Sequence, residues 1–364
     1  MNTIDTLSSR NIPELLRLKS GKTVKKLADW EKRREEIKKI LQEEEYGYIP
    51  EKPDHLDVEV KEEVKNFCAG KCQRKNLTFT VTIGEKKFSF PVVSAIPKSD
   101  KKVPAFVFIN FWPDAPVKYL PSEELCDLGF AVFSLCYKDI TSDNGDFKNG
   151  IAPLFRRGRA KQTSPGKIAM WAWAAMRVMD YVETLDEIDV DNVAVVGHSR
   201  LGKTALVAGA FDERFKYVIS NDSGCSGAAI TRGKEGETVP VITNVFPFWF
   251  NPRYAKNAAT FEERGYDQHF LLALAAPRHL MIGSAEEDLW ADPASEFLSA
   301  YAASEAYKLY GFKGLSEVEE IPTAKSVVAG ERVFYQHRHG THYFSREDWG
   351  EYTKYIKSVI ESDK

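Results

Sequence analysis

The sequence predicts an α/β fold: a mostly parallel central sheet with helices on both faces, a three-layer sandwich. Two observations carry this. From about residue 103, short and continuously apolar runs alternate with longer stretches of helical periodicity, the pattern of strands buried on both faces and joined by crossover helices. One of these runs, Val193 to Val196, passes through Gly197-His198-Ser199-Arg200 straight into an apolar helical stretch, a strand-turn-helix junction.

Leu27, Trp30, Ile37, Ile40 and Leu41 fall among many Lys and Glu between residues 26 and 45, so an amphipathic helix with a solvated charged face is expected there, for packing. Leu77, Phe79, Val81 and Ile83 alternate with threonines, and Phe88, Phe90 and Val92 follow Gly84, which reads as a β-hairpin. The buried strands are expected at Ala105 to Ile109, Phe130 to Leu135, Val193 to Val196, Tyr217 to Ile219, Leu280 to Ile282 and Val333 to Tyr335. Before the third lies a helix with Ile168, Trp171, Ala172, Ala175, Val178, Met179 and Val182 on one face, for which Ser164 is the expected N-cap and Pro165 the first helical residue. Ser345 with Asp348 three positions on, ahead of Trp349, Tyr352, Ile356, Val359 and Ile360, predicts a capped C-terminal helix. Without repeat, low-complexity tract or linker, residues 1–364 are expected to form a single α/β catalytic domain, with residues 1–100 as a helix and hairpin extension packed on it.

Net charge is −3 with both signs interspersed, which gives no footprint for nucleic acid or an anionic membrane. No apolar run approaches the roughly 20 residues that span a bilayer. Met1 to Ser20 contains Pro13, Glu14 and several charges where an export signal would be apolar, so a cytoplasmic location is expected, with export by a route that leaves no visible signal as the alternative. The five cysteines, Cys68, Cys72, Cys126, Cys136 and Cys225, are expected reduced, with Cys68 and Cys72 as unrelated thiols, because no second pair follows at zinc spacing.

The junction at Ser199 is the most informative segment. A tight strand-to-helix turn lifts a hydroxyl clear of the sheet and leaves N–H groups at the helix start free to stabilise an oxyanion, the nucleophile elbow of α/β-hydrolases. Gly197 supplies the small residue before the serine, but two positions after it stands Leu201, with Gly202 one place later, so the generic motif is only partly met. Chain order supports the assignment: in this fold the acid follows the nucleophile and the histidine comes last, and Asp222, Asp288 and His342 follow successive later strands. His337, His339 and His342 crowd one loop, yet no thiolate or carboxylate lies between them, so a metal is not expected. His342, after Gly340-Thr341 in the turn before the last helix, can swing over the strand ends toward Ser199 as general base. Asp288, beyond the penultimate strand, and Asp222, beyond the strand before it, both remain candidates to orient that imidazole.

The segments GHSRLGKTAL (197–206), ISNDSGCSGAA (219–229) with GETV (236–239), DQHFLLALAAPR (267–278) leading to SAEEDLWADP (284–293), and HRHGTHYFSREDW (337–349) resemble carbohydrate esterase family 15, the glucuronoyl esterases, above all its bacterial members. The resemblance implies hydrolysis of esters between the carboxyl group of glucuronic acid, often 4-O-methylated and attached to xylan, and alcohols such as those of lignin. It implies Ser199 as nucleophile, His342 as base, Arg200 as a contributor to the oxyanion hole, and Lys203, Glu237 and Trp290 as binders of the sugar hydroxyls. The sequence departs from the family where many members carry a glutamate before Ser-Gly, since Asp222 stands there; Asp288 is therefore slightly favoured. The expected protein is a cofactor-free serine esterase acting on a small-molecule or oligosaccharide uronate ester through an acyl-enzyme. The alternatives are a carbohydrate acetyl esterase and a non-catalytic carbohydrate-binding relic of the fold.

Overall fold

The computed structural model describes residues 1–156 and 161–363. Its strands are β1 (His55–Phe67), β2 (Cys72–Ile83), β3 (Lys86–Pro97), β4 (Val103–Asn110), β5 (Ala131–Cys136), β6 (Ile188–His198), β7 (Tyr217–Asn221), β8 (His279–Ala285), β9 (Ser326–Ala329) and β10 (Val333–Arg338). They form a ten-stranded sheet in the order β1-β2-β3-β5-β4-β6-β7-β8-β10-β9. The six strands from β5 to β10 in this order pair in parallel. Antiparallel strands flank them, β1 to β3 on one side and β9 on the other.

The apolar runs are continuous because both faces are covered. Ala105, Val107 and Ile109 of β4 belong to one hydrophobic cluster with the helices Lys167–Val182, Arg200–Phe211 and Pro293–Lys308. Phe106 and Phe108, pointing the other way, join a second cluster with Trp349, Tyr352 and Ile356 of the helix Arg346–Ser362, as the period of two along a strand requires. An α/β-hydrolase sheet results. The strand order reverses at β4, whose neighbours are β5 and β6; in open α/β sheets the crevice beyond the strand ends near such a reversal is where ligands bind.

The expected hairpin is β2 and β3, but it continues the central sheet, with β3 pairing β5 from Val92↔Leu135 to Ala95↔Val132. The helix expected to open at Ser164 and Pro165 instead starts at Lys167, with Gly166 as N-cap. Tertiary contact moved it: Gly166 N–H donates to Tyr46 O at 2.9 Å, and a Cβ on Gly166 would lie 2.2 Å from Trp249 O. The Ser164 hydroxyl accepts from Lys161 N–H instead. Ser345 caps the last helix as expected, in a reciprocal capping box with Asp348. Cys68 and Cys72 are not unrelated, since both pack with Cys126 in one small apolar cluster. Among the described residues no helix is long and apolar enough to cross a membrane.

Candidate active site

Ser199 stands between β6 and the helix Arg200–Phe211 as the helix N-cap, with φ 58° and ψ −129°, a backbone region costly for a residue with a Cβ and typical of a strained functional turn. The local sequence is built around that turn. A Cβ on Gly197 would lie 2.1 Å from Leu201 O, and one on Gly202 would lie 3.0 Å from both Ser220 Oγ and Ser223 Cβ. The second small residue is thus demanded at 202, where the helix crosses the end of β7, and Leu201 is free to be buried core. This explains the displaced glycine. Because the helix begins at Arg200, the N–H groups of Gly202 and Lys203 donate to Ser199 O at 2.9 and 3.2 Å, whereas those of Arg200 and Leu201 lie ahead of the first intrahelical bond and can serve an oxyanion.

Ser199 lines a cleft of about 390 Å³ that also takes in Arg200, Lys203, Asp222, Glu237, Asp288, Trp290 and His342, so all the candidates named from sequence meet in one place. They divide by contact. His342 Nδ1 lies 2.6 Å from Asp288 Oδ2, leaving Nε2 for a hydroxyl. Asp222, one strand nearer Ser199, does not reach the imidazole: its Oδ2 accepts from Arg338 Nη2 at 3.1 Å. Burial first, and then the neighbouring Asp348, Glu296 and Asp288, push its carboxyl up, against the pull of Arg338. Beneath His342 lies the ring of His198, centroids 4.5 Å apart. Burial, with smaller contributions from His342 and Arg338, holds His198 well below the usual imidazole range, so it is a neutral platform whose Nδ1 is 2.7 Å from Asn221 Oδ1.

Arg200 projects into the cleft with its guanidinium 4.8 Å from the Trp249 ring centroid and 5.4 Å from that of Phe246. Its Nη1 donates to Asp143 Oδ2, while among the described residues its Nε has no hydrogen-bond partner. Asp143 fixes this wall, accepting also from Trp249 Nε1 at 2.7 Å and Tyr137 Oη at 2.9 Å. Sequence reasoning missed Asp143, Phe246 and Trp249, which reach the site from loops remote in the chain and carry no motif. On the opposite wall Lys203 Nζ donates to Ser223 O and lies 4.0 Å from Glu237 Oε2. Glu237 N–H donates to Trp290 O at 3.1 Å, and Trp290 stands 57% exposed on the rim. A cleft with a paired Lys and Glu, an arginine and a mostly exposed indole suits a polar, ring-shaped ligand with one reacting carbonyl.

His198, Asp222 and His342 bring one possible metal ligand atom each within 4.8 Å of one another. Their donors fit a cation poorly. The Nδ1 atoms of the two histidines are committed to Asn221 and Asp288, and a guanidinium already sits on Asp222. His337 and His339 turn elsewhere, toward Pro322 O and Glu286.

Residues 79–311 match the family model described as glucuronyl esterase, fungi. The chain is 32% identical to carbohydrate esterase MZ0003 from an unknown prokaryotic organism, over 94% of this chain and 88% of that one. It is 30% identical to a 4-O-methyl-glucuronoyl methylesterase of Neurospora crassa, over 84% of this chain and 74% of the relative. Among solved structures, a glucuronoyl esterase from Solibacter usitatus superimposes with a TM-score of 0.88 at 34% identity, covering 95% of this chain and 97% of that one.

Proposed function

The chain belongs to carbohydrate esterase family 15, the glucuronoyl esterases, and from that premise we propose that it hydrolyses esters of glucuronic acid, with or without the 4-O-methyl group, through an acyl-enzyme on Ser199. The observation that carries the reading is the convergence of a strained serine, an imidazole hydrogen-bonded to a buried carboxylate, and an arginine side chain in one cleft.

In this reading Ser199 Oγ attacks the uronoyl carbonyl while its proton passes to His342 Nε2. Asp288, 2.6 Å from Nδ1, keeps the imidazole in the tautomer that can accept and stabilises the imidazolium. Negative charge develops on the former carbonyl oxygen, where the free N–H groups of the helix start and the Arg200 guanidinium meet it. His342 returns the proton to the departing alcohol, then takes one from the water that hydrolyses the acyl-enzyme. Lys203, Glu237 and Trp290 hold the sugar, the charged pair through its hydroxyls and the indole through a ring face.

The test is a substrate panel: methyl esters of 4-O-methylglucuronate, glucuronate and galacturonate, and an acetylated xylose. A kcat/KM for the glucuronate esters at least a hundredfold above that for the acetyl ester is expected. Preference for the acetyl ester contradicts the uronoyl assignment.

A further inference from the structure

We propose that Arg338 is a positioning residue for His342: its guanidinium clamps the backbone carbonyls on either side of the imidazole-bearing residue, and Asp222 serves that clamp rather than the imidazole. The proposal rests on the reading of His342 as general base.

Arg338 is the last residue of β10 and is 3% exposed. All three of its nitrogens are engaged. Nε donates to both oxygens of Asp348, at 3.0 and 2.9 Å. Nη1 donates to His339 O at 2.8 Å. Nη2 donates to Thr341 O at 3.1 Å, to Tyr343 O and to Asp222 Oδ2 at 3.1 Å. The carbonyls of 339, 341 and 343 therefore wrap one planar cation, and those of Thr341 and Tyr343 bracket His342. Gly340 permits the wrap, at φ +96°, where an added Cβ would lie 3.3 Å from Nη1.

The loop needs such a device. The His342 side chain is 43% exposed, so packing alone holds it weakly, and a misplacement of about 1 Å in a catalytic group can cost on the order of a hundredfold in rate. Charge-assisted bonds to carbonyls in fixed fork geometry supply the restraint. The clamp is itself anchored at two points. Asp348 is fully buried and accepts from Ser345 N–H at 2.7 Å, tying the guanidinium to the start of the last helix. Asp222 is fixed through its own N–H to Gly283 O at 2.8 Å. Its Oδ2 faces the guanidinium, and among the described residues its Oδ1 has no hydrogen-bond partner. A lysine at 338 would keep the charge but could not present a fork to three carbonyls and two carboxylates at once.

The experiment compares wild type, Arg338→Lys and Asp222→Asn on methyl glucuronate, together with the downfield proton resonance of the His342–Asp288 hydrogen bond. Labelling of wild-type Ser199 by a fluorophosphonate is the control on the underlying reading: an unlabelled wild type would sink that reading, separately from the clamp. In a labelled, active enzyme, folded Arg338→Lys is expected to lose tenfold or more in kcat with KM within twofold and the resonance broadened or lost. Asp222→Asn, which still offers Nη2 an acceptor, is expected to lose less than tenfold and keep the resonance. A folded Arg338→Lys losing less than tenfold, or losing activity through KM, overturns the clamp. If Arg338→Lys does not fold, Asp222→Asn decides: a loss below tenfold upholds the assignment, and a larger one overturns it.

Discussion

Replacing Asp288 by asparagine removes a charge without changing shape, and the structure sets the size of the effect. The imidazolium formed during acyl transfer has its Nδ1 2.6 Å from Asp288 Oδ2, and Asp288 is 5% exposed. With charge centres about 4 Å apart and an effective dielectric constant of about 20, the attraction is about 4 kcal/mol. At 1.36 kcal/mol per decade this is about a thousandfold in kcat. Asparagine can also donate to Nδ1 and so favour the wrong tautomer, an effect that brings the loss to about ten thousandfold in the best-studied triad. A second carboxylate will not rescue the variant, because Asp222 is held by Arg338. The assay is kcat at saturating methyl glucuronate, with circular dichroism to verify folding. A folded Asp288→Asn retaining a tenth of wild-type kcat would return the orienting role to another group.

Three further outcomes follow from the same geometry. Arg200→Ala should lower kcat with little change in KM, by about 2.7–4 kcal/mol as for other oxyanion donors; a change confined to KM would make Arg200 a binding residue. Gly197→Ala should cost about 1–3 kcal/mol of stability, read as a lower urea midpoint, because its Cβ would lie 2.1 Å from Leu201 O; a neutral variant would mean the elbow is not tight. Glu296 is pushed up to about 7 from an ordinary 4.5 by burial, although it accepts from Ser284 Oγ and Gly224 N–H. The native state thus holds its proton more tightly than the unfolded chain, so the stability it contributes is full below about pH 4.5 and lost as pH rises toward 7. Urea melts should show wild type losing stability relative to Glu296→Gln between those values, and a pH-independent difference would contradict this.

The central strands were legible because covering both faces makes their sequences continuously apolar, and the capping box because it is a local pattern. Strand β1 was not, since the alternation of Leu56, Val58 and Val60 with Asp57, Glu59 and Lys61 breaks at Glu62-Glu63 and nearly the whole strand is exposed, and β9 is only four residues long. Propensity placed the start of the long helix at Ser164, whereas contacts of Gly166 with Tyr46 and Trp249 decide it. At the site, the residues carrying local signatures were readable. The choice between Asp222 and Asp288 was not, because both follow neighbouring strands and only their contacts in the fold, Asp288 with His342 and Asp222 with Arg338, separate them. Asp143 was hidden for the same reason: its partners Arg200 and Trp249 lie 57 and 106 residues away.

Hydrolysis of methyl 4-O-methylglucuronate by wild type and folded Ser199→Ala at saturating substrate decides whether this cleft cleaves uronate esters through Ser199. Wild type is expected to turn over, and the variant to lose on the order of a millionfold, as for removal of a triad nucleophile. A folded Ser199→Ala that retains near wild-type turnover would contradict that role for Ser199.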